Sequence, residues 1–227
     1  MLTTLLRSLY IAGLTCLVVG TSAPAYGADP RCAPPKKPPP VKRVPTPTPP
    51  DFGIVYFGDS TAYWTGRHLY TVNPKLRVDN RARGGMTLGA YVAQQHETAR
   101  KAGKGVVILS FGANDADSKH GQVEPGEWSR ELGRVALDLR QRGLAVVIET
   151  VPAMQVERLT PDALTVPLPV MVSAARSAAV YSGATLCDRY GWMQGKEWGG
   201  DGVHLTDAAL KGWAPQLMAC VNRAGVI

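Results

Sequence analysis

Short apolar runs alternate with amphipathic stretches from residue 53 onward, and this alternation constrains the fold more than any other feature of the 227-residue chain. The runs are rich in Val, Ile and Leu and show no polar alternation, which is typical of parallel strands covered on both faces. Glycine or another turn former flanks each of them. We therefore predict five β-strands, at residues 54–57, 76–78, 106–111, 144–151 and 184–187.

The stretches between and after these runs have the periodicity of helices. They predict helices at about residues 62–70, 88–102, 127–142, 169–182 and 207–223, and Thr206 is a good N-cap for the last one. Strand–helix repeats join parallel strands by right-handed crossovers. The sequence thus predicts an α/β fold, a three-layer α/β/α sandwich around a five-stranded, parallel, doubly wound sheet of the flavodoxin-like type.

Residues 152–169 depart from the alternation, because Pro161, Pro167 and Pro169 interrupt any helix there. We expect a loop that crosses the strand ends. Its large apolar residues are expected to pack onto the domain, with the lining of a substrate cleft, or a lid over it, as the alternative; they are Met154, Leu159, Leu164 and Leu168.

Two segments precede the predicted domain of residues 51–227. Residues 1–27 combine a basic start, an apolar stretch and small residues before Gly27, which is the pattern of a secretory signal peptide. The apolar stretch is shorter than the roughly 20 residues that span a bilayer, so we expect no transmembrane anchor in the mature form. Residues 28–50 form a proline-rich, basic linker. We expect a secreted or periplasmic protein.

The net charge of +7 belongs mostly to the N-terminal segments. Residues 1–50 hold six of the 25 basic and one of the 18 acidic residues, so the remainder carries only about +2. That is too little for the basic surface of a nucleic-acid-binding protein, and we expect no nucleic acid as partner. The basic linker allows an association with an anionic envelope polymer, with a solvated tether as the alternative.

Three cysteines remain after removal of a signal peptide: Cys32, Cys187 and Cys220. An oxidising compartment permits a disulfide. Cys187 and Cys220 are the preferred pair because both belong to the predicted domain, and two buried free thiols are the alternative. The spacing does not indicate a metal site.

Chemically capable residues follow the predicted strands, where the ligand sites of doubly wound sheets form. Ser60 follows the first strand, Asn114 follows the third, and Asp201 and His204 precede the last helix. A serine hydroxyl needs an adjacent base to act as a nucleophile, and that base is commonly a histidine oriented by a carboxylate. Ser60, His204 and Asp201 can fill these roles together, although each motif is weak by itself.

An anionic oxygen that develops during attack on a carbonyl needs hydrogen-bond donors. The backbone N–H of Ser60 and the side-chain amide of Asn114 are candidates. A glycine N–H from the turn after the second strand, which contains Gly84 and Gly85, can also approach closely because it carries no side chain.

At this point the chain resembles the SGNH hydrolases, also called GDSL esterases and lipases, whose four blocks match here in order. The resemblance implies the three-layer sandwich, a hydrolase domain over residues 51–227, and Ser60, Asp201 and His204 as the catalytic triad. It also implies an oxyanion hole of Ser60, Gly85 and Asn114. Gly85 is favoured because Gly85-Met86-Thr87 fits the family's Gly-x-Thr form, and Gly84 is the alternative. The chain departs from the family where Thr61 replaces the usual leucine after the serine.

These observations predict an exported serine ester hydrolase that forms an acyl-enzyme on Ser60, without a metal ion or organic cofactor. Short acyl esters, such as acetyl esters of carbohydrate or envelope polymers, are the expected substrates. The alternatives are an acyltransferase to a sugar acceptor, a lipase or lysophospholipase, and a glycan-binding protein of the same fold that does no chemistry.

The sequence also predicts the surroundings of several other side chains. Four aromatic residues flank the catalytic blocks and are expected in the core, with stacking on substrate as the alternative: Tyr63, Trp64, Trp192 and Trp198. The remaining histidines, His68, His96 and His120, are expected at the surface without a carboxylate partner. Asp59 and Asp115 are expected to cap helices, to brace the active-site turns, or both.

Overall fold

The structure is a computed structural model that describes residues 53–102, 105–120, 123–159 and 163–226. The predicted signal peptide, the predicted linker and Cys32 lie outside the described residues. No helix within these ranges has the length and apolarity that a membrane span requires.

Five parallel strands form one sheet. They are β1 (Gly53–Gly58), β2 (Arg77–Asn80), β3 (Val106–Ser110), β4 (Ala145–Glu149) and β5 (Thr185–Cys187). Their order is β2-β1-β3-β4-β5, and all four pairings are parallel. This is the flavodoxin-like order, whose ligand sites lie where neighbouring strands connect in opposite directions, here at the carboxyl ends of β1 and β3. The predicted fold class is confirmed.

Seven α-helices accompany the sheet in the described residues. They are α1 (Ser60–Val72), α2 (Leu88–Gln94), α3 (His96–Arg100), α4 (Pro125–Gln141), α5 (Leu168–Ser182), α6 (Arg189–Met193) and α7 (Asp207–Val221). The single helix predicted for residues 88–102 was wrong, because Gln95 leaves helical geometry between α2 and α3. Helix α6 was not predicted, since five residues are too few to show a helical period.

The core lies on both faces of the sheet, because successive strand residues point to opposite sides. Tyr56 and Ile108 pack on the side of α1 and α7, whereas Phe57 and Leu109 pack on the side of α2, α4 and α5. All four are fully buried. This double coverage explains why the strand sequences are continuously apolar and gives the carboxyl edge of the sheet a rigid support.

Cys187 of β5 and Cys220 of α7 form a disulfide with a Cα–Cα distance of 5.7 Å. Both residues are buried, and the bridge joins the last strand to the last helix. The pairing is the one that the sequence favoured.

Two of the three other histidines have carboxylate partners, so the prediction of unpaired surface residues was wrong for them. His68 Nε2 lies 3.0 Å from Asp207 Oδ1, and His96 Nε2 lies 3.1 Å from Asp138 Oδ2. The partners are 139 and 42 residues away in sequence, and only the packing of α1 against α7 and of α3 against α4 brings them close. His120 is exposed.

Candidate active site

Ser60, His204 and Asp201 form a continuous hydrogen-bonded chain at the carboxyl edge of the sheet. His204 Nε2 lies 2.8 Å from Ser60 Oγ, and His204 Nδ1 lies 2.6 Å from Asp201 Oδ2. A proton on Nδ1, donated to the carboxylate, leaves Nε2 free to accept the proton of the serine hydroxyl. The structure thus brings together three residues that the sequence separates by up to 144 positions.

Asp201 is held by the turn that it begins. Its Oδ1 accepts the backbone N–H groups of Val203 at 3.0 Å and of His204 at 2.9 Å. Burial opposes ionisation of this carboxyl, but the hydrogen bonds from the His204 side chain and from these two N–H groups outweigh it and lower the pKa of Asp201 to about 2. Asp201 is therefore a carboxylate at neutral pH and favours an Nδ1-protonated His204.

A short helical turn, residues Val156–Arg158, supports this catalytic turn from outside. Gln155 N–H donates to the Gly202 carbonyl at 2.8 Å, and Arg158 Nη1 donates to the Gly199 carbonyl at 3.4 Å. Gly202 has φ of +70°, and a Cβ there would come within 2.9 Å of the Arg158 Cβ. The backbone of the two turns can approach this closely only with glycine at position 202.

Ser60 is placed by a tight connection between β1 and α1. A Cβ on Gly58 would lie 2.4 Å from the Ser110 carbonyl, so the strand end requires glycine. Asp59 caps α1, and its Oδ1 accepts from Thr61 N–H at 2.8 Å and from Thr61 Oγ1 at 2.6 Å. Ser60 is the first residue of the helix, where a backbone N–H has no helical carbonyl to bind and remains available to an anion.

Thr61 links this turn to a buried arginine that the sequence analysis did not identify. Arg189 is 1% exposed and donates to Thr61 Oγ1 at 3.2 Å, to the Thr61 carbonyl at 3.1 Å and to Thr65 Oγ1 at 2.9 Å. The family's usual leucine at position 61 would provide no hydroxyl for this contact. Thr61 therefore connects the Ser60 turn to this buried arginine.

Asn114 and the turn after β2 meet beside Ser60. Asn114 Nδ2 donates to the Met86 carbonyl at 3.1 Å, and Gly85, immediately before, has φ of +72°. Gly84 does not have a positive φ, so Gly85 is the glycine that occupies the left-handed position of the turn. Asp115 Oδ1 accepts from Leu88 N–H at 3.0 Å and thereby joins the same two segments. Asp59 and Asp115 thus serve both as helix anchors and as braces of the site.

A cavity of about 220 Å³ opens at Ser60. Its wall includes Asn114 from the end of β3 and Val203 from the Asp201 turn, together with three residues of the segment after β4: Met154, Leu159 and Leu164. Met154 and Leu164 also pack against the core, as expected, so these two side chains fulfil both the expected packing and the alternative of lining a cleft. Leu168 does pack into the core, where it begins α5.

The flanking aromatic residues occupy different environments. Tyr63 and Trp64 are each 41% exposed on α1, so the expectation of core positions was wrong for both. Trp192 packs against Trp213, with ring centroids 5.2 Å apart. Trp198 lies in the loop before Asp201 and lines a second cavity. Among the described residues, no group of three or more His, Cys, Asp or Glu side chains is placed to hold a metal ion.

The sequence profile of the GDSL-like Lipase/Acylhydrolase family matches residues 51–210. The chain belongs to this family. The matched range includes Ser60, Asp201 and His204, the three residues of the hydrogen-bonded chain described above. No curated protein matches the sequence.

Several solved structures share the fold of this GDSL-like family member. A GDSL-like lipase from Bacteroides thetaiotaomicron is 14% identical and has a TM-score of 0.62, with 80% of this chain and 93% of that chain covered. An acetyl xylan esterase is 18% identical at a TM-score of 0.61, with coverages of 75% and 100%. An acetyl-xylooligosaccharide esterase from Geobacillus is 17% identical at 0.60, with coverages of 75% and 94%. At these identities the likeness concerns the fold.

Proposed function

We propose that this GDSL-like family member is a serine ester hydrolase that removes short acyl groups, above all acetyl, from carbohydrate esters. The observation that carries the proposal is the chain of hydrogen bonds from Asp201 through His204 to Ser60. This arrangement supplies a base, an oriented tautomer and a nucleophile at one place.

In the proposed mechanism, Ser60 Oγ attacks the ester carbonyl carbon while its proton passes to His204 Nε2. The carbonyl oxygen becomes an anion that accepts hydrogen bonds from the Ser60 N–H, the Gly85 N–H and the Asn114 amide. Collapse of this intermediate breaks the bond to the alcohol oxygen, which takes the proton from His204. Water then attacks the acyl-enzyme, gives its proton to His204, and the acid leaves as Ser60 recovers its hydrogen.

The size and lining of the catalytic cavity support a short acyl group. The cavity measures about 220 Å³, and its lining includes small and apolar side chains: Ala113, Leu159, Ala163 and Val203. The names of the acetyl xylan and acetyl-xylooligosaccharide esterases of the same fold make acetylated carbohydrate the first class of substrate to test. A lipase would need room for a long acyl chain, and for this reason we rank lipase activity second.

We also propose that the protein acts outside the cytoplasm. The proposal is supported by the signal-peptide pattern of residues 1–27 and by the Cys187–Cys220 disulfide, since disulfides persist mainly in oxidising compartments. The basic, proline-rich residues 28–50 would then tether the domain near anionic envelope polymer.

Hydrolysis of p-nitrophenyl acetate, butyrate and octanoate tests the proposal. We expect turnover of acetate and butyrate to exceed that of octanoate, and Ser60→Ala and His204→Ala each to lower kcat by about a thousandfold or more. His96→Ala is the matched control, because it removes a histidine that also pairs with an aspartate but contacts no serine. An inert wild-type enzyme, or variants that match it, would contradict the proposal.

A further inference from the structure

A second, larger cavity adjoins the catalytic cavity. It measures about 680 Å³, against 220 Å³ for the cavity at Ser60. Met154 and Leu164 line both cavities, so these two side chains form a shared wall. A substrate whose acyl group lies at Ser60 can therefore extend its alcohol portion over this wall into what we call the second cavity.

The second cavity combines aromatic and neutral polar side chains. Tyr190 and Trp198 line it, together with Gln155, Gln194 and Thr165. None of the described residues that line it carries a charge. An anionic or cationic ligand would find no counter-charge there, whereas an electrically neutral ligand rich in hydroxyl groups would find both donors and acceptors.

Gln155 lines this cavity and carries a side-chain acceptor without a partner among the described residues. Its Oε1 is buried and has no hydrogen-bond partner among the described residues. A buried acceptor without a partner is unfavourable, and in native proteins such atoms are rare unless a water or ligand supplies the donor. Rotation of the terminal amide of Gln155 would turn this oxygen toward the second cavity, where a hydroxyl group of a ligand would satisfy it. A plain acyl chain would not.

We propose that the second cavity binds neutral pyranose units of the acetylated carbohydrate, next to the unit that carries the ester. The C–H groups on one face of a pyranose ring pack on the electron-rich face of Trp198 or Tyr190, and its hydroxyl groups bind Gln155, Thr165 and Gln194. This inference rests on the proposed function and deepens it, because it assigns the site for the sugar chain.

Binding tests the site separately from catalysis. The full chain with Ser60→Ala is titrated calorimetrically with three neutral probes: xylohexaose, cellohexaose and the hexamer of N-acetylglucosamine. We expect at least one of them to bind, and Trp198→Ala or Gln155→Leu added to this background to weaken binding about tenfold. Trp64→Ala is the matched control, because Trp64 is an exposed tryptophan of α1 that lines neither cavity.

Gln155→Leu keeps the test valid if Trp198→Ala fails to fold, because the Gln155 side-chain oxygen makes no hydrogen bond within the described residues. Trp198→Phe, which retains a ring, should recover most of the affinity.

Kinetics with the catalytically intact chain complete the test. On acetylated xylo-oligosaccharides, Gln194→Leu and Trp198→Ala should raise KM about tenfold, while kcat/KM for p-nitrophenyl acetate stays within about twofold of the wild type. Absence of binding by all three probes, equal weakening by Trp64→Ala, or a parallel loss on p-nitrophenyl acetate would each overturn the inference. Binding that depends on Gln155 and Trp198 in a chain without esterase activity would support the inference and contradict the proposed function.

Discussion

Gly202 lies in the turn between Asp201 and His204, where a side chain with a Cβ would come too close to neighbouring atoms. Its φ of +70° disfavours any residue with a Cβ, and an added Cβ would lie 2.9 Å from the Arg158 Cβ and 3.3 Å from the Gln155 carbonyl oxygen. Both neighbours belong to the turn that supports Asp201. A substitution here therefore moves the carboxylate that orients His204.

We expect Gly202→Ala to destabilise the fold by about 1–3 kcal/mol and to lower kcat for p-nitrophenyl acetate by tenfold or more, with little effect on KM. Urea unfolding and steady-state kinetics measure the two effects. The matched control is Gly200→Ala, because a Cβ at position 200 would meet no atom within 4 Å and its φ is not positive. Equal behaviour of the two variants would show that the close approach at Gly202 does not matter.

Asp115 is a buried carboxyl whose protonation is coupled to folding. Burial, with a smaller contribution from the charge of Asp59, raises the pKa of Asp115 to about 6, although the hydrogen bond from Leu88 N–H opposes the shift. The unfolded chain releases this proton near pH 3.9. Between these two pH values the folded state holds more protons than the unfolded state, so stability decreases as the pH rises from about 4 to about 6.

Asp115→Asn should remove this dependence while keeping the acceptor for Leu88 N–H. The free energy of unfolding of the wild type should fall by about 2–3 kcal/mol relative to the variant between pH 4 and pH 7. Urea denaturation at pH 4, 5, 6 and 7 measures the difference. Asp117→Asn, in the same loop but only half-buried, serves as the control. Parallel pH profiles for wild type and Asp115→Asn would refute this account.

The Cys187–Cys220 disulfide joins β5 to α7 and closes a loop of 33 residues. Closing a loop of this length in the unfolded chain stabilises the fold by roughly 3–4 kcal/mol in the chain-entropy model. Helix α7 packs against α1, and its N-terminus follows directly on His204. The bridge thus stabilises elements on both sides of the catalytic residues.

We expect the free energy of unfolding of the Cys187→Ala, Cys220→Ala double variant to be about 2–4 kcal/mol lower than that of the wild type. Its activity at 25 °C should be largely retained. Dithiothreitol should destabilise the wild type by a similar amount under conditions that reduce the bridge, and should leave the double variant unchanged. Unfolding midpoints measured with and without the reductant test this. A wild type that does not respond, although mass spectrometry shows full reduction, would contradict the prediction.

For the whole molecule, the sequence predicted those features that depend on local pattern and on strand direction. Parallel strands place their carboxyl ends at one edge, so Ser60, Asn114 and His204 could be expected to meet there. The burial of Arg189 against α1 could not be predicted, because no local feature of the sequence indicates that this arginine is buried. The division of the cleft into two cavities also depends on how residues 152–169 fold back over the strand ends, which prolines alone do not determine.

We propose that Ser60 is a nucleophile activated by His204 and Asp201. Intact-mass analysis after incubation with diisopropyl fluorophosphate tests this proposal, because the reagent phosphorylates an activated serine far faster than an ordinary hydroxyl group. The account predicts a single adduct, mapped to Ser60 by peptide sequencing, with labelling abolished in Ser60→Ala and slowed at least about a hundredfold in His204→Ala. An unlabelled wild type, an adduct on another residue, or unchanged labelling in His204→Ala would contradict it.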